Sequence, residues 1–466
     1  MEFLDRKEEF ARLDELSRPG LAVLWGRRRV GKTRLLVEWS RKQHALYTVA
    51  DQSAEAVQRR YFAEAVAERV PGFADVTYPD WRALLRAVSR AAATGGLDCP
   101  VILDELPYLV ASAPSLPSVL QNWLDHEARA AGLLVIVAGS SQRMMQGLVL
   151  DAAAPLYGRA QAAFALEPLP AGYIGQGLKL ANPVDAVRAY AVWGGIPRYW
   201  ELASSYGAAL LESVDALVLD PSSALHGEPD RLLLEEQPPA QALRPILDAI
   251  GLGAHRLSEI AGRIGQPATS LTRPLGRLVE MGLVHRDQPF GEPEKSGKRA
   301  LYRIADPFFH FWFRVVAAHR GILAVASKKT RGEIWSRAST AVFSQTWEEL
   351  CRRAVARLDV ARGQEPWGPA TRFWRGNGPE WDVVSASVDN SRLLLGEAKW
   401  SPEPVGEEGL RAIYAELTRK GAPALSHAKG LQVVHAVFVP KCEPRAKRGK
   451  HPFLVFDAAD VLAALR

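Results

Sequence analysis

The sequence predicts an α/β fold of several domains, beginning with a parallel sheet flanked by helices. An apolar segment at residues 21–25 leads into a loop at 26–33 of pattern Gly-x-x-x-x-Gly-Lys-Thr, and then into an amphipathic stretch. A second apolar segment, 100–103, ends in the adjacent carboxylates Asp104 and Glu105. Three further apolar runs have the length of buried parallel strands, at residues 46–50, 133–138 and 162–166.

Length and composition describe a multidomain globular protein. The 466 residues exceed what one core usually holds. Hydrophobic residues make up 48% and charged residues 24%, and the net charge of +6 is compatible with nucleic-acid contact without requiring it. The cysteines, Cys99, Cys351 and Cys442, lie far apart and favour neither a disulfide framework nor a cysteine-based zinc site.

The first residues carry charges where a signal peptide needs an apolar core. The longest apolar runs, such as 133–138, have the length of a strand and are too short to span a bilayer. We therefore expect a cytoplasmic protein with no membrane partner.

The loop at 26–33 predicts a phosphate-binding site for ATP. Two glycines let the backbone curl so that its N–H groups point at phosphate oxygens, at the positive end of the following helix. Lys32 would reach the β- and γ-phosphates, and the Thr33 hydroxyl would bind Mg²⁺. A chance glycine-rich turn is the alternative, which the flanking strand and helix disfavour. The residues expected at the nucleotide are Gly26, Arg27, Arg28, Arg29, Val30, Gly31, Lys32, Thr33 and Arg34.

Candidate catalytic residues follow the later strands. Asp104 fits a residue that holds Mg²⁺, and Glu105 fits a base that polarises the attacking water. Ser140 follows the run 133–138 and is a candidate sensor of the γ-phosphate, although a cap at the strand end is the alternative. Arg159 would stabilise developing charge on the γ-phosphate, in its own chain or in a neighbour's, or is an ordinary surface arginine.

The first 230 residues resemble the archaeal-type ATPases, a branch near the AAA+ and STAND nucleotide switches. The resemblance implies a three-layer P-loop NTPase core with a helical lid, in which a Gly-x-Pro segment approaches the nucleotide. Gly195 and Pro197 match that segment, and an interhelical turn is the alternative. The motifs that carry the resemblance are residues 3–9, 26–33, 103–108, 138–141, 156–159 and 193–199.

Residues 254–304 predict a winged helix, with two helices followed by a β-hairpin. Its second helix and wing would present a polar surface to DNA; a packing or regulatory domain is the alternative. Pro274 costs little if Ser270 caps that helix. The residues of the predicted DNA surface are Thr269, Ser270, Thr272, Arg273, Arg277, Lys295, Lys298 and Arg299.

The last third predicts two strands joined by a turn, at 380–388 and 393–400. Glu397 and Lys399 share one strand face, and Asp382 would approach them from the partner strand. This arrangement resembles the PD-(D/E)XK nucleases, and matches a C-terminal domain of uncharacterised function that is often fused to archaeal-type ATPases. The resemblance implies a restriction-endonuclease-like α/β domain whose carboxylates hold Mg²⁺ or Mn²⁺, joined by Glu348, or Glu349, from a helix beginning near Thr346. Charges on an exposed strand face are the alternative.

We therefore expect an ATP-hydrolysing protein that acts on DNA or is regulated by it, with a metal-dependent nuclease domain. The rival is a STAND-like switch that controls a protein partner, with an inactive C-terminal binding domain. A homo-oligomer is compatible with Arg159 acting between subunits. A basic tract from Lys441 to Lys450 would grip nucleic acid or is a solvated loop. The expected domains are the ATPase core 1–170, the lid 171–230, the winged helix 231–305 and the nuclease-like domain 306–466.

Overall fold

The structure is a computed structural model, and it describes residues 3–140, 142–149, 151–152, 154–236, 240–293, 299–359, 364–376, 378–425 and 430–466. The chain forms two compact units. The first unit comprises residues 5–168 with Glu236, and the second comprises 3–4, 169–235 and 240–466. The lid, winged-helix and nuclease-like segments all belong to the second unit, and their division into separate domains stays a prediction.

The first unit is built on five parallel strands in the order β2-β3-β4-β1-β5. Every strand that the sequence predicts in this region is present, and the α/β fold class is confirmed. The strands are β1 (Gly20–Trp25), β2 (Leu46–Val49), β3 (Val101–Asp104), β4 (Leu134–Gly139) and β5 (Ala162–Ala165). The helices are α1 (Lys7–Asp14), α2 (Lys32–Gln43), α3 (Glu55–Ala67), α4 (Trp81–Ala93), α5 (Leu106–Ser112), α6 (Leu116–Trp123) and α7 (Gln142–Val149), with a 3₁₀ turn at Phe73–Asp75 and a π turn at Leu124–Ala128.

The central strands are buried on both faces, as the continuous apolar runs require. Val23, Ile102 and Ile136 are fully buried, and they lie on three adjacent strands. Parallel strands place their carboxyl ends along one edge of the sheet. The residues that follow β1, β3 and β4 therefore meet at that edge, which is where the candidate site lies.

The second unit begins with a helical region and ends in a mixed sheet. Its first helices are α8 (Ile174–Gly177), α9 (Pro183–Trp193), α10 (Pro197–Ala203), α11 (Leu210–Val214), α12 (Glu228–Glu235), α13 (Arg244–Gly251), α14 (Leu257–Ile264), α15 (Thr272–Glu280), α16 (Pro307–Phe311) and α17 (Ala318–Leu323). Shorter 3₁₀ turns lie at Ala171–Tyr173, Ser204–Tyr206, Gln241–Leu243, Ala268–Leu271 and Val355–Arg357, and π turns lie at Asp215–Leu219 and Trp312–Ala317. The aromatic residues of α16 are buried, as expected of a core segment.

Helices α14 and α15 are followed by an antiparallel hairpin of β6 (Val284–Asp287) and β7 (Leu301–Ile304). Pro274 lies in the first turn of α15, where it costs little. The Ser270 hydroxyl donates to the carbonyl of Pro267 at 2.7 Å and does not cap α15, so the low cost of Pro274 does not depend on such a cap. A 3₁₀ turn before the helix takes that place.

The C-terminal sheet has the strand order β12-β11-β10-β9-β8. Strands β8, β9 and β10 are antiparallel neighbours, whereas β10, β11 and β12 run parallel. The strands are β8 (Thr371–Phe373), β9 (Trp381–Ala386), β10 (Arg392–Ala398), β11 (Gln432–Phe438) and β12 (Leu454–Phe456). The helices are α18 (Lys328–Ala354), α19 (Glu407–Arg419), α20 (Pro444–Lys447) and α21 (Ala458–Ala464).

Helix α18 begins at Lys328, well before the start that the sequence suggested near Thr346. Ser327 caps it by accepting a hydrogen bond from the amide of Thr330 at 3.2 Å. Within its first half, residues 328–341, only Ile334 and Trp335 are buried. The weak apolar pattern of that half hid the helix start.

Cys99, Cys351 and Cys442 are free cysteines, and all three are buried. Among the helices of the described residues, none combines the length and the apolar character that crossing a membrane requires.

We expect Leu103→Ala to lower the free energy of unfolding by about 2–5 kcal/mol, because Leu103 is buried in the core beside β2 and β4. Urea denaturation followed by circular dichroism measures the change. Val76→Ala is the control, since Val76 is 58% exposed, and a loss of less than about 0.5 kcal/mol is expected there. Equal losses in both variants would contradict the assignment of Leu103 to the core.

Candidate functional site

The loop at 26–33 is shaped by two glycines in conformations that other residues rarely adopt. Gly26 has φ +153°, and a Cβ at this position would lie 2.6 Å from the carbonyl oxygen of Leu166. Gly31 has φ +102° and precedes the first residue of α2. The loop therefore ends at a helix N-terminus, which favours bound anions.

Lys32 lies buried inside the loop. Its ammonium donates to the carbonyl oxygens of Gly26 at 2.9 Å and Arg27 at 3.1 Å. Burial lowers the pKa of Lys32, while the negative charges of Glu105 and Asp104 act in the opposite direction. The ammonium is thus held within the curl of the loop, where the sequence predicts the phosphates of ATP.

Asp104 is fully buried at the end of β3, and both of its carboxylate oxygens accept hydrogen bonds. One oxygen receives the Thr33 hydroxyl at 2.7 Å and the Tyr47 hydroxyl at 2.8 Å, and the other receives the Glu105 amide at 2.9 Å. Burial and the charge of Asp104 raise the pKa of Tyr47 well above its usual range. Tyr47 is a site residue that the sequence did not reveal, because an aromatic residue in a strand normally indicates core packing.

The pair of Thr33 and Asp104 suits Mg²⁺ in its donor chemistry. A hydroxyl and a carboxylate supply the oxygen ligands that Mg²⁺ prefers, and substrate phosphates ordinarily complete such a shell. The two side chains already touch through a hydrogen bond. These residues fit the predicted metal.

Glu105 has a strained backbone and a fixed side chain. Its φ of +56° lies in the left-handed region, which is uncommon for residues other than glycine. Its carboxylate accepts hydrogen bonds from the Ser140 hydroxyl at 2.7 Å and the Ser140 amide at 3.2 Å. Gly139, the last residue of β4, precedes Ser140. A Cβ at Gly139 would lie 2.6 Å from Pro107 Cδ, so this close approach of β4 to the segment after Glu105 requires glycine at position 139.

Arg6 is a second residue that sequence reasoning missed as part of the site. Its side chain is buried, and it donates to the carbonyl of Val30 at 3.1 Å and to Glu9 at 2.9 Å. It therefore anchors the phosphate loop from the N-terminal motif. The motif at residues 3–9, which contains Arg6, contributed to the family resemblance, but it did not indicate that Arg6 contacts the phosphate loop.

The other predicted loop residues have varied surroundings. Val30 is fully buried, and Arg29 has φ +67°. Arg28 hydrogen-bonds to the hydroxyl of Tyr108. Arg34 lies on the outside of α2, paired with Glu38 at 2.8 Å.

Arg159 is held by a two-pronged ion pair with Asp125, at 2.7 and 2.8 Å. This pairing lowers the pKa of Asp125. A role for Arg159 at the γ-phosphate would require it to leave Asp125, and it stays a prediction. Pro197 begins α10 in the second unit, and its approach to nucleotide also stays a prediction.

The second unit carries an acid cluster at one end of the C-terminal sheet. Glu397 is nearly fully buried, and its two carboxylate oxygens contact the ammonium groups of Lys399 at 2.9 Å and Lys420 at 2.5 Å. Asp382 accepts a hydrogen bond from the amide of Ala398 at 3.1 Å, which ties β9 to the end of β10. Lys420 was absent from the sequence prediction.

Glu348 lies next to Asp382, whereas Glu349 points into an arginine network. Burial and the neighbouring Asp382 charge raise the pKa of Glu348. Burial opposes ionisation of Glu349, but Arg352 and Arg303 lower its pKa to about 2. The structure thus favours Glu348 over Glu349 as the residue that would join Asp382. Arg352 bridges Asp382 and Glu349: its guanidinium donates to the backbone carbonyl of Asp382 and to the carboxylate of Glu349, both at 3.0 Å.

A metal-holding role for Glu348, Asp382 and Glu397 stays a prediction. In the described part of the chain, no three His, Cys, Asp or Glu side chains converge closely enough to hold a metal ion. The physical reason is that Glu397 is drawn to two lysines while Asp382 and Glu348 lie with Arg352. The donor chemistry still fits Mg²⁺ or Mn²⁺, since all three are carboxylates. Burial and the charge of Asp382 raise the pKa of Glu348, as expected of carboxylates held close together.

The predicted DNA surface is partly described. Thr269, Ser270, Thr272 and Arg273 are exposed, and Arg277 is half-buried. Arg299 pairs with Glu292 at 2.5 Å, and Lys295 and Lys298 lie outside the described residues. In the basic tract near the C-terminus, Lys447 pairs with Asp457 and Asp460, whereas Lys441, Arg445, Arg448 and Lys450 are exposed.

Two family matches bear on this geometry. Residues 3–202 match the family described as an ATPase domain predominantly from Archaea. Residues 312–411 match a family of archaeal and bacterial proteins of unknown function. The matches confirm the predicted ATPase resemblance and the C-terminal domain of uncharacterised function; its nuclease-like character stays a prediction.

Three proteins similar to this chain illustrate the range of the matches. An uncharacterized protein of Methanocaldococcus jannaschii is 27% identical over 427 residues, which cover 90% of this chain and 91% of that protein. The structure of a Walker-type ATPase of Pyrococcus abyssi superposes with a TM-score of 0.52 at 20% identity, covering 67% of this chain and 96% of that one. The ORC2 protein of Aeropyrum pernix gives a TM-score of 0.40 at 15% identity, covering 73% of this chain and 95% of that one.

We expect Arg6→Ala to weaken nucleotide binding about tenfold, because a charged hydrogen bond that fixes the Val30 carbonyl is lost from the loop. Titration with a fluorescent ATP analogue measures the dissociation constant. Arg41→Ala is the matched control, since Arg41 is 73% exposed and only 3.7 Å from Glu38. Unchanged affinity in Arg6→Ala would show that the loop keeps its shape without this anchor.

Proposed function

We propose that this chain is an Mg²⁺-dependent ATPase whose turnover is coupled to DNA. Residues 3–202 match an ATPase family found predominantly in Archaea, which supports the ATPase part of the proposal. The reaction is ATP with water giving ADP and phosphate. The observation that carries the proposal is the grouping of Lys32, Thr33, Asp104, Glu105 and Ser140 at one edge of the parallel sheet.

Each residue of this group has a distinct task in the proposed reaction. Lys32 would move from the loop carbonyls to the phosphates of ATP and neutralise their charge. Thr33 and Asp104 would hold Mg²⁺, which supplies charge stabilisation for the transferred phosphoryl group. Glu105 would orient and polarise the attacking water. Ser140 would set the direction of the Glu105 carboxylate, to which it now donates.

DNA contact is supported by the exposed Thr272 and Arg273 on α15. In addition, a charged chain of contacts within the second unit links the neighbouring hairpin to the acid cluster. Asp287 on β6 pairs with Arg303 on β7, and Arg303 lies 3.6 Å from Glu349 of α18. Glu349 in turn holds Arg352, beside Asp382. The loop of the same hairpin reaches the C-terminal sheet, since the Phe290 amide donates to the Arg372 carbonyl at 2.8 Å. A contact made by the hairpin would therefore be transmitted to the acid cluster.

We expect duplex or branched DNA to raise ATP turnover about fivefold or more. The reason is that DNA bound on the α15 face would favour the conformation that hydrolyses ATP. Phosphate release, measured with and without single-stranded, duplex and branched DNA, tests this. Arg273→Ala should reduce the stimulation by removing an exposed phosphate contact. Arg60→Ala, an exposed arginine paired with Glu64 at 3.5 Å, should leave it unchanged.

Glu105→Gln separates hydrolysis from binding in the same experiment. It should bind ATP and lose turnover about 100-fold, with or without DNA. If no DNA binds or alters turnover of the unmodified protein, while Glu105→Gln still abolishes hydrolysis, the DNA coupling is wrong. The protein is then a nucleotide switch for a protein partner.

A second candidate function, metal-dependent DNA cleavage, is favoured by the surroundings of Lys399. Burial opposes protonation, but hydrogen bonding to Glu397 and the charges of Glu397, Glu416 and Asp382 raise the pKa of Lys399. Lys399 is therefore protonated at neutral pH, and its positive charge is suited to neutralising charge on a phosphodiester. Glu348, Asp382 and Glu397 would hold the divalent cation, which supplies Lewis-acid polarisation of the phosphate.

We expect Mn²⁺-dependent cutting of labelled DNA by the unmodified chain, and a loss of about 100-fold in Asp382→Asn and Lys399→Ala. Gel electrophoresis of the products measures it. Glu105→Gln is the control and should cut normally, because Glu105 belongs to the first unit. Cutting that survives both substitutions in the second unit would exclude this cluster as the source.

A further inference from the structure

Lys420 occupies the acid cluster from outside the predicted motif. It follows the last residue of α19, and only 18% of its side chain is exposed. Its ammonium donates to a carboxylate oxygen of Glu397 at 2.5 Å and to the backbone carbonyl of Glu380 at 2.9 Å. Lys420 thus joins Glu397, on β10, to the residue before β9.

The position of this ammonium matters because Asp382 lies two residues after Glu380. The charge of Lys420 is therefore placed between the chain segments that carry Asp382 and Glu397. These two carboxylates are the ones that the proposed metal would require. Lys420 pairs with one carboxylate oxygen of Glu397, and Lys399 pairs with the other at 2.9 Å. Both oxygens of Glu397 therefore already have a cationic partner.

The two lysines differ in what else they can bind. Lys399 also lies 3.5 Å from Glu416, and the backbone amide of Lys399 is fixed by the Phe438 carbonyl at 2.9 Å. In the described residues, Glu397 is the single carboxylate within ion-pair distance of Lys420. Loss of Glu397 to a metal therefore leaves Lys399 with a carboxylate partner and Lys420 with a carbonyl.

We infer that Lys420 is an internal counter-ion of Glu397. A divalent cation has to displace the Lys420 ammonium before it binds Glu397, and Lys420 therefore sets the metal affinity of the acid cluster. The inference rests on the second candidate function proposed above. Together with Lys399 and Arg352, this counter-ion accounts for the failure of the three described carboxylates to converge. A protein built this way resists metal until the displacement is favoured, for example when DNA phosphates bring further negative charge to the cluster.

The test is a titration of the full-length, nucleotide-free protein with Mn²⁺, in which the electron paramagnetic resonance signal reports free Mn²⁺. Lys420→Met keeps the length of the side chain and removes its charge, and it should bind Mn²⁺ about tenfold more tightly than the unmodified chain. Lys420→Arg keeps the charge and should keep the original affinity. Lys441→Met, at an exposed lysine beyond β11, is the matched control and should change nothing.

Glu397→Gln assigns the binding to this cluster, because Mn²⁺ binding at the cluster should be lost in that variant. Thermal unfolding of each variant shows that it is folded. If Lys420→Met binds Mn²⁺ equally or more weakly, the counter-ion role is wrong while the metal site stands. If no variant shows binding that depends on Glu397, both the counter-ion role and the nuclease candidate are wrong, and the ATPase proposal is untouched.

Discussion

The buried carboxylate of Asp104 is the point on which the nucleotide site depends. A fully buried carboxylate is costly unless its oxygens are satisfied, and here three hydrogen bonds satisfy them. The donors come from α2, from β2 and from the residue after β3. The parallel pairing of β2 with β3 brings the Tyr47 hydroxyl to this carboxylate. The strand order of the first unit therefore serves the site as well as the core.

The parts of the site that local motifs carry could be predicted from the sequence. Lys32 and Thr33 follow from the loop pattern, and Asp104 and Glu105 follow from an apolar strand that ends in acids. Arg6 and Tyr47 could not be predicted, because their partners lie 24 and 57 residues away. Each is an ordinary residue type in its own segment, and only the packed sheet gives it a role.

The C-terminal region shows the same division for charges. The sequence placed Asp382, Glu397 and Lys399 on adjacent strands, and the antiparallel pairing of β9 and β10 agrees with that placement. Spacing along the chain gave no sign of Lys420, which lies 23 residues from Glu397. It also gave no sign of Arg352, since a helix pattern does not show which of its charges turns inward. The balance of charge in a buried cluster is a tertiary property.

The backbone of Glu105 has a consequence for how this protein can change over time. A left-handed conformation costs a residue with a side chain about 1–2 kcal/mol relative to the right-handed one. Glycine or asparagine would relieve that cost at position 105, but either would remove the carboxylate that Ser140 holds. Substitutions that stabilise the fold here are thus the ones that abolish the proposed catalysis. A lineage that no longer needs hydrolysis would lose its glutamate with a gain in stability, whereas a lineage that needs it keeps a slightly weaker strand end.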